Sequence, residues 1–240
     1  MPNVLIVIPA RMASSRLPGK PLAEIHGRPM IAWVADAAKA ADAGAVLVAA
    51  AEPEIAEAAR AAGVEAVLTD PDLPSGSDRI HAAAAAFDPD GRFDVIVNVQ
   101  GDMPTMPPSF VTSAIAALGE AEIATLVSPS SDPADRNNPN VVKAIMAADG
   151  RCLAFTRAPA PWGDGPVMRH VGLYVYRRDA LARFVAAAPS PLELREKLEQ
   201  MRALEMGMTI RAGVVDEFPK GVDSPPDLEL ARAFLSADQT

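Results

Sequence analysis

The 240-residue sequence is 50% hydrophobic and 22% charged, with a formal net charge of -9. That is the composition of a globular chain able to bury a sizeable core, and its acidic balance argues against a nucleic-acid groove, which needs a basic stripe. The single cysteine, Cys152, excludes an intramolecular disulfide and a structural zinc cluster.

Chain order supplies the fold class. Apolar runs of strand length alternate with helical patterns: "VLIVIPA" (4–10), "PMIAWVADAAKAADA" (29–43), "AVLVAA" (45–50), "PEIAEAARAAG" (53–63) and "VEAVL" (64–68). Such alternation predicts βαβ units around a parallel sheet. "DRIHAAAAAF" then reads as a helix, and "FDVIVNV" (93–99) as a central strand covered on both faces. From about residue 121 the pattern becomes β-rich, with "EIATLVS", "NVVKAIM", "RCLAFT" and "VMRHVGLYVY" separated by Pro, Asn, Asp and Gly clusters.

One helix is expected over "SPLELREKLEQMRALEMG", with Ser190 as N-cap, Pro191 at the first helical position, Glu193 closing a capping box and Gly207 as terminator. Leu194, Leu198, Met201 and Leu204 or Met206 would form its apolar stripe, in a core or at a subunit interface. "TIRAGVV" gives a last strand and "SPPDLELARAFLS" a last helix. The chain starts with a strand-like run and shows neither a leader pattern nor a membrane-length apolar segment, so a cytoplasmic protein without membrane contact is expected.

Four places concentrate chemistry. The loop "PARMASSRLPGKPL" (9–22) gathers Arg11, Arg16 and Lys20 after the first strand, where it is either a solvated turn or an anion cradle at the carboxyl edge of the sheet. "QGDMP" places Asp102 past the end of a central strand, suited to a hard cation or to a turn. Asp223 in "GVDSPPDLE" is a second such carboxylate, but taken singly it reads more simply as a helix N-cap or turn residue. "LPSGSDR" (73–79) begins a helix with small residues and Arg79. Neither the dinucleotide fingerprint nor the P-loop occurs.

In their order along the chain, "IPARMASSRLPGKPL", "SGSDR", "NVQGD", "RHVGLY", "SPLELREKLEQMRAL" and "GVDSPPDLE" resemble the 3-deoxy-manno-octulosonate (KDO) cytidylyltransferases. The likeness covers essentially the whole chain. It implies an α/β, Rossmann-like nucleotide-diphospho-sugar transferase fold with a mostly parallel sheet and a β-rich excursion. It further implies one domain over 1–240, with 1–120 as the nucleotide-binding half and 121–240 as the acceptor-binding and dimerisation half.

The implied activity is transfer of CMP from CTP to the anomeric hydroxyl of KDO, with release of pyrophosphate, for lipopolysaccharide precursors. Pro9, Ala10, Arg11, Arg16, Lys20, Ser75, Gly76, Arg79 and Gln100 match nucleotide-contacting positions, and Arg11, Arg16, Lys20, Asp102 and Asp223 the catalytic ones. Asp102 and Asp223 match the ligands of Mg²⁺. Gln100, Arg157, His170, Tyr174, Glu199 and Gln200 match contacts to the sugar acid, and Arg169 is assigned to the same side. Without the resemblance His170 reads as a structural histidine, and Cys152 reads as a packed residue. CTP, a sugar-acid acceptor and a second copy in a homodimer are the implied partners; no nucleic acid is.

Four departures from the family pattern stand out. Ala50 and Ala51 replace a polar pair, Met103 stands where a glutamate is usual, Asp164 takes the place of an arginine near the sugar, and the segment from Trp162 to Arg169 is short. The last two leave open an acceptor other than KDO, such as a modified octulosonate, a nonulosonate or a phosphonate. A non-catalytic nucleotide-binding homologue is the remaining alternative, against which Arg16, Lys20, Asp102 and Asp223 all argue.

Overall fold

The computed structural model describes residues 2–14, 16–219 and 221–235. It divides the chain into two compact units, one formed by the chain up to Val111 together with the segment from Pro219, the other by Thr112–Phe218. The closing segment, assigned from sequence to the second half, thus belongs to the first unit.

In the first unit β1 (Val4–Ala10) is followed by a 3-10 turn (Lys20–Leu22), a small hairpin of β2 (Glu24–Ile25) and β3 (Arg28–Pro29), and helix α1 (Met30–Ala40). Then come β4 (Ala45–Ala50), α2 (Pro53–Ala61), β5 (Glu65–Leu68), α3 (Gly76–Phe87) and β6 (Val95–Asn98). Apart from the antiparallel β2–β3 hairpin, these strands pair parallel: β1 with β4, β1 with β6, and β4 with β5. β1 and β6 are almost wholly buried and almost wholly apolar, as strands covered on both faces must be.

The spatial order β6-β1-β4-β5 positions the site. From β1 the chain steps outward through β4 to β5, then returns to the other side of β1 as β6. That reversal of strand order beside β1 is a switch point, and open α/β sheets bind ligands beyond the carboxyl ends of the strands at such points. Ala50 and Ala51, where the resemblance predicts polar residues, are buried, and so is Met103.

Helix α4 (Ser109–Leu118) leads into the second unit. There β7 (Ile123–Ser130), α5 (Pro133–Asn137), β8 (Lys143–Met146), β9 (Cys152–Thr156), β10 (Val167–Arg177) and α6 (Arg178–Ala186) precede α7 (Pro191–Glu196), α8 (Gln200–Glu205) and β11 (Ile210–Val214). β7 pairs antiparallel with β10 and parallel with β11, while β8 pairs antiparallel with β10 and β9. The four strands read from sequence in the β-rich stretch are all present. The last helix, α9 (Pro225–Phe234), packs with the first unit.

The expected single helix over 190–207 is two. α7 has the predicted Ser190–Glu193 capping box, but Lys197 adopts the left-handed conformation at φ 56°, ψ 48°, and α8 starts afresh. Two interactions favour the break. Arg157 reaches the carbonyls of Glu196 (2.9 Å) and Lys197 (3.3 Å), and the buried Arg202 of α8 folds back on Glu193 of α7 at 2.5 and 2.8 Å. The supposed stripe divides accordingly: Leu198 and Met201 are buried, whereas Leu194 and Met206 are exposed. Among the described residues no helix is long and apolar enough to cross a membrane.

Candidate active site

The loop leaving β1 is folded on itself before it reaches the 3-10 turn. Gly19, in the left-handed region at φ 69°, donates its N–H to the Met12 carbonyl (3.1 Å), and Ser14 Oγ accepts from the Leu17 N–H (3.4 Å). Glu52, at the head of α2, accepts from the Met12 N–H at 3.0 Å. That anchor was not read from sequence; its only signal is an acidic residue just past a strand end. Opposite, the loop from β6 runs so close to β1 that a Cβ on Gly101 would lie 2.7 Å from the Pro9 carbonyl oxygen, so only glycine fits.

On this frame four charged groups from three places in the sequence converge. The Lys20 ammonium lies 2.8 Å from Asp102 Oδ2 and 3.1 Å from Asp223 Oδ1, and Arg16 Nη2 lies 3.0 Å from Asp223 Oδ2. Burial works against the Lys20 charge, yet the two carboxylates outweigh it and raise its pKa above the ordinary lysine value.

Asp223 is not the N-cap of α9. That place belongs to Ser224, in a capping box with Asp227, whose carboxylate also accepts the Asp223 N–H at 3.2 Å. The Ser224 hydroxyl, and the backbone N–H groups beside it, hold the Asp227 carboxyl below the usual range despite some burial. Val222 donates to the Asp102 carbonyl (2.8 Å), tying the two carboxylate-bearing loops together. An apolar cluster of Ile25, Met30, Trp33, Val222, Leu228, Ala231 and Leu235 seats α9 against the hairpin that follows Lys20.

Beside these charges opens a cavity of about 350 Å³. The structure brings Pro9, Ala10, Arg11, Arg16, Lys20, Ser75, Gly76, Arg79 and Gln100 together around it, with Asp102. Ala13, Ser14, Pro21, Leu73 and Gly101 complete its wall and carry no chemical signal of their own in the sequence.

The lining cations differ in freedom. Arg11 is exposed and hydrogen-bonds to no described residue, whereas the buried Arg79 donates to Thr69 Oγ1 (2.6 Å) and to the carbonyls of Asp70 (3.0 Å) and Pro71 (3.2 Å). Burial, then Arg11, lowers the Arg79 pKa. Arg79 therefore shapes the 69–71 loop as well as the cavity wall. Ser75 caps α3 through Asp78, a Cβ on Gly76 would lie 3.6 Å from the Pro9 ring, and the Gln100 amide donates to Asn98 Oδ1 (3.3 Å).

The remaining assigned residues lie in the second unit. His170 and Tyr174 belong to a run of rings: Phe155 meets His170 at 5.0 Å between centroids, His170 meets Tyr174 at 5.3 Å, and Tyr174 meets Tyr176 at 5.9 Å. Thr125 Oγ1 donates toward the carbonyls of Val171 and Leu173, so it accepts from His170 Nε2 at 3.0 Å. Burial depresses the His170 pKa to about 3, leaving a neutral imidazole. Burial, with Tyr176 and Glu199, raises that of Tyr174 well above the ordinary tyrosine.

Arg157 follows β9 and donates to carbonyls at Pro139, Glu196 and Lys197. Glu199 and the buried Gln200 open α8. Arg169 pairs with Asp135 (3.0 Å) and Ser128 (3.0 Å), stacks on Phe218 at 4.5 Å, and leaves its buried Nε without a partner. Asp164 is exposed, in a loop that Arg136 tethers through the carbonyls of Pro161 and Gly165.

A family model described as "Cytidylyltransferase" matches residues 5–210. The chain belongs to the cytidylyltransferase family. Its relatives include a "3-deoxy-manno-octulosonate cytidylyltransferase" of Parvibaculum lavamentivorans, 60% identical over 238 residues that cover 97% of this chain and 92% of the relative. A protein of the same description from Rhodospirillum centenum is 58% identical over 240 residues, covering 97% and 93%. A solved structure of a CMP:2-keto-3-deoxy-manno-octonic acid synthetase complexed with CTP is 34% identical and superposes with a TM-score of 0.91 over 99% of this chain and 100% of that one. The expected nucleotidyltransferase fold is thus the observed one.

Proposed function

We infer that this cytidylyltransferase makes CMP-KDO from CTP and KDO. The observation that carries the reading is the cavity at the β1/β6 switch point, where Arg11, Arg16 and Lys20 converge beside Asp102 and Asp223. Relatives at 58–60% identity over nearly the whole chain bear the name of that activity, and the solved structure at TM-score 0.91 is a complex with CTP.

In the reaction the acceptor hydroxyl oxygen forms a bond to the α-phosphorus of CTP as the bond to the bridging oxygen breaks. Pyrophosphate leaves with the bonding pair, and the hydroxyl proton passes to water. Arg11, Arg16 and Lys20 bind the triphosphate and stabilise the charge that gathers on the leaving pyrophosphate. No covalent enzyme intermediate is needed. Cys152 is buried, with its thiol pKa pushed up to about 12, and takes no part.

The residues present suit Mg²⁺. Oxygens of Asp102 and Asp223 already converge on one cation, the Lys20 ammonium. Among the described residues no group of three or more His, Cys, Asp or Glu could hold a metal ion, and a two-carboxylate site suits a cation that takes its remaining ligands from phosphate and water. Bound there, Mg²⁺ would supply Lewis-acid polarisation of the phosphate.

On the acceptor side His170, Tyr174, Glu199, Gln200 and Arg157, with Gln100, would recognise the sugar acid, and Arg169 its carboxylate. Neutral His170 would act through a hydrogen bond and not through charge. Asp164 is exposed, which fits KDO as acceptor without a carboxylate facing the substrate's own. The product would supply activated KDO for lipopolysaccharide. Leu153, Leu192 and Leu194 of the second unit are large apolar side chains left exposed, which supports a homodimer through this unit. Incubating the protein with CTP and a panel of sugar acids tests the reading: pyrophosphate should appear with KDO, and release confined to another acid would assign a different acceptor.

A further inference from the structure

We propose that Lys20, besides binding phosphate, closes the two carboxylates to metal until the nucleotide arrives, so that Mg²⁺ enters with CTP and not before it. The inference rests on the reading of Asp102 and Asp223 as the Mg²⁺ ligands. Its observation is separate: the Lys20 ammonium bridges Asp102 Oδ2 and Asp223 Oδ1, and Arg16 takes the other oxygen of Asp223. Two positive and two negative charges cancel, so an incoming cation meets a neutral cluster whose point of convergence is filled by a like charge.

The means of opening lie in the same groups. Lys20 and Arg16 line the cavity, and the Arg16 side chain is 65% exposed. A triphosphate in the cavity offers both cations several anionic oxygens, and the flexible lysine stem lets the ammonium follow them. Once Lys20 turns to phosphate, Asp102 and Asp223 stand as two adjacent carboxylates without a counter-ion, a strong site for a hard divalent cation. Coupling of this kind is reciprocal: the factor by which CTP tightens metal binding is the factor by which metal tightens CTP.

This arrangement prevents the free enzyme from holding metal without substrate. It also makes an unusual forecast, that removing a cationic active-site residue improves metal binding in the absence of nucleotide.

The test is a Mn²⁺ titration of the nucleotide-free protein, read from the EPR signal of free Mn²⁺, on wild type, Lys20→Gln, Lys20→Met and Lys20→Gln/Asp223→Asn. The Lys20 variants should bind Mn²⁺ tighter than wild type by roughly five- to 150-fold, the usual span of coupling between sites, and the double variant should lose that gain. If neither Lys20 variant gains affinity, while Asp223→Asn still raises the Mg²⁺ needed for turnover, Lys20 is only a salt-bridge partner: the proposal falls and the metal assignment stands. A gain that persists in the double variant means metal binds elsewhere, and overturns both.

Discussion

His170 shows what burial does to one side chain. Its pKa near 3 lies below the ordinary 6.5, so the unfolded chain binds the proton more readily than the folded one. The stabilising contribution of neutral His170 is therefore complete above pH 6.5 and drains away as pH falls from there toward 3. Between pH 7.5 and 5.5 the loss comes to about 1.4 kcal/mol, and His170→Gln should remove that part of the acid sensitivity. Urea unfolding of both proteins at the two pH values measures it; equal pH dependence would mean that the imidazole is protonated in the fold. Asp164→Arg should leave kcat/KM for KDO within about twofold, since changes at exposed sites cost little, and a large gain would place this loop over the acceptor. At this scale residue types were legible and roles only partly so. Asp102 and Asp223 each admitted an ordinary turn or cap reading, because pairs 82 and 203 residues apart in sequence reveal their shared ammonium only in three dimensions. Arg79 reads from sequence as a helix-start cation matching a nucleotide-contacting position, and its bonds to Thr69 and to the Asp70 and Pro71 carbonyls exist only in the fold.

Elements with strong local signals were read almost to the residue. β4 occupies 45–50 as expected, and Pro225 opens α9 behind the Ser224 and Asp227 cap. The failure at 190–207 has a physical cause: local propensity favours one helix there, and tertiary bonds from Arg157 and Arg202 favour a break that propensity cannot register. Lys197 occupies a left-handed conformation that costs a residue with a Cβ roughly 1 kcal/mol. Lys197→Gly should therefore raise stability by about that much, with activity retained. Destabilisation by the usual cost of a helix-interior glycine would instead show that the helix is continuous. The helices α4, α5 and α6 went unread. α5 has five residues, too few for a periodic pattern, and α4 carries an apolar composition that a strand would share.

At the scale of the molecule, the parallel first unit was legible from alternation, while the return of α9 to that unit was not, because nothing local marks which core receives it. That return delivers Asp223 to Lys20 and Asp102. A homodimer through the leucines of the second unit should fall to monomer on Leu153→Glu with Leu194→Glu, by sedimentation at micromolar concentration. An unchanged sedimentation coefficient would remove these leucines from the interface. The most direct test of the central claim is pyrophosphate release from CTP and KDO as a function of Mg²⁺, for wild type, Asp102→Asn and Asp223→Asn. Wild type should turn over only with the metal, and each substitution should lower kcat by about 100-fold or more, the scale of lost transition-state electrostatics, with cooperative unfolding retained. Near-normal release from Asp223→Asn at low Mg²⁺ would contradict the two-carboxylate site.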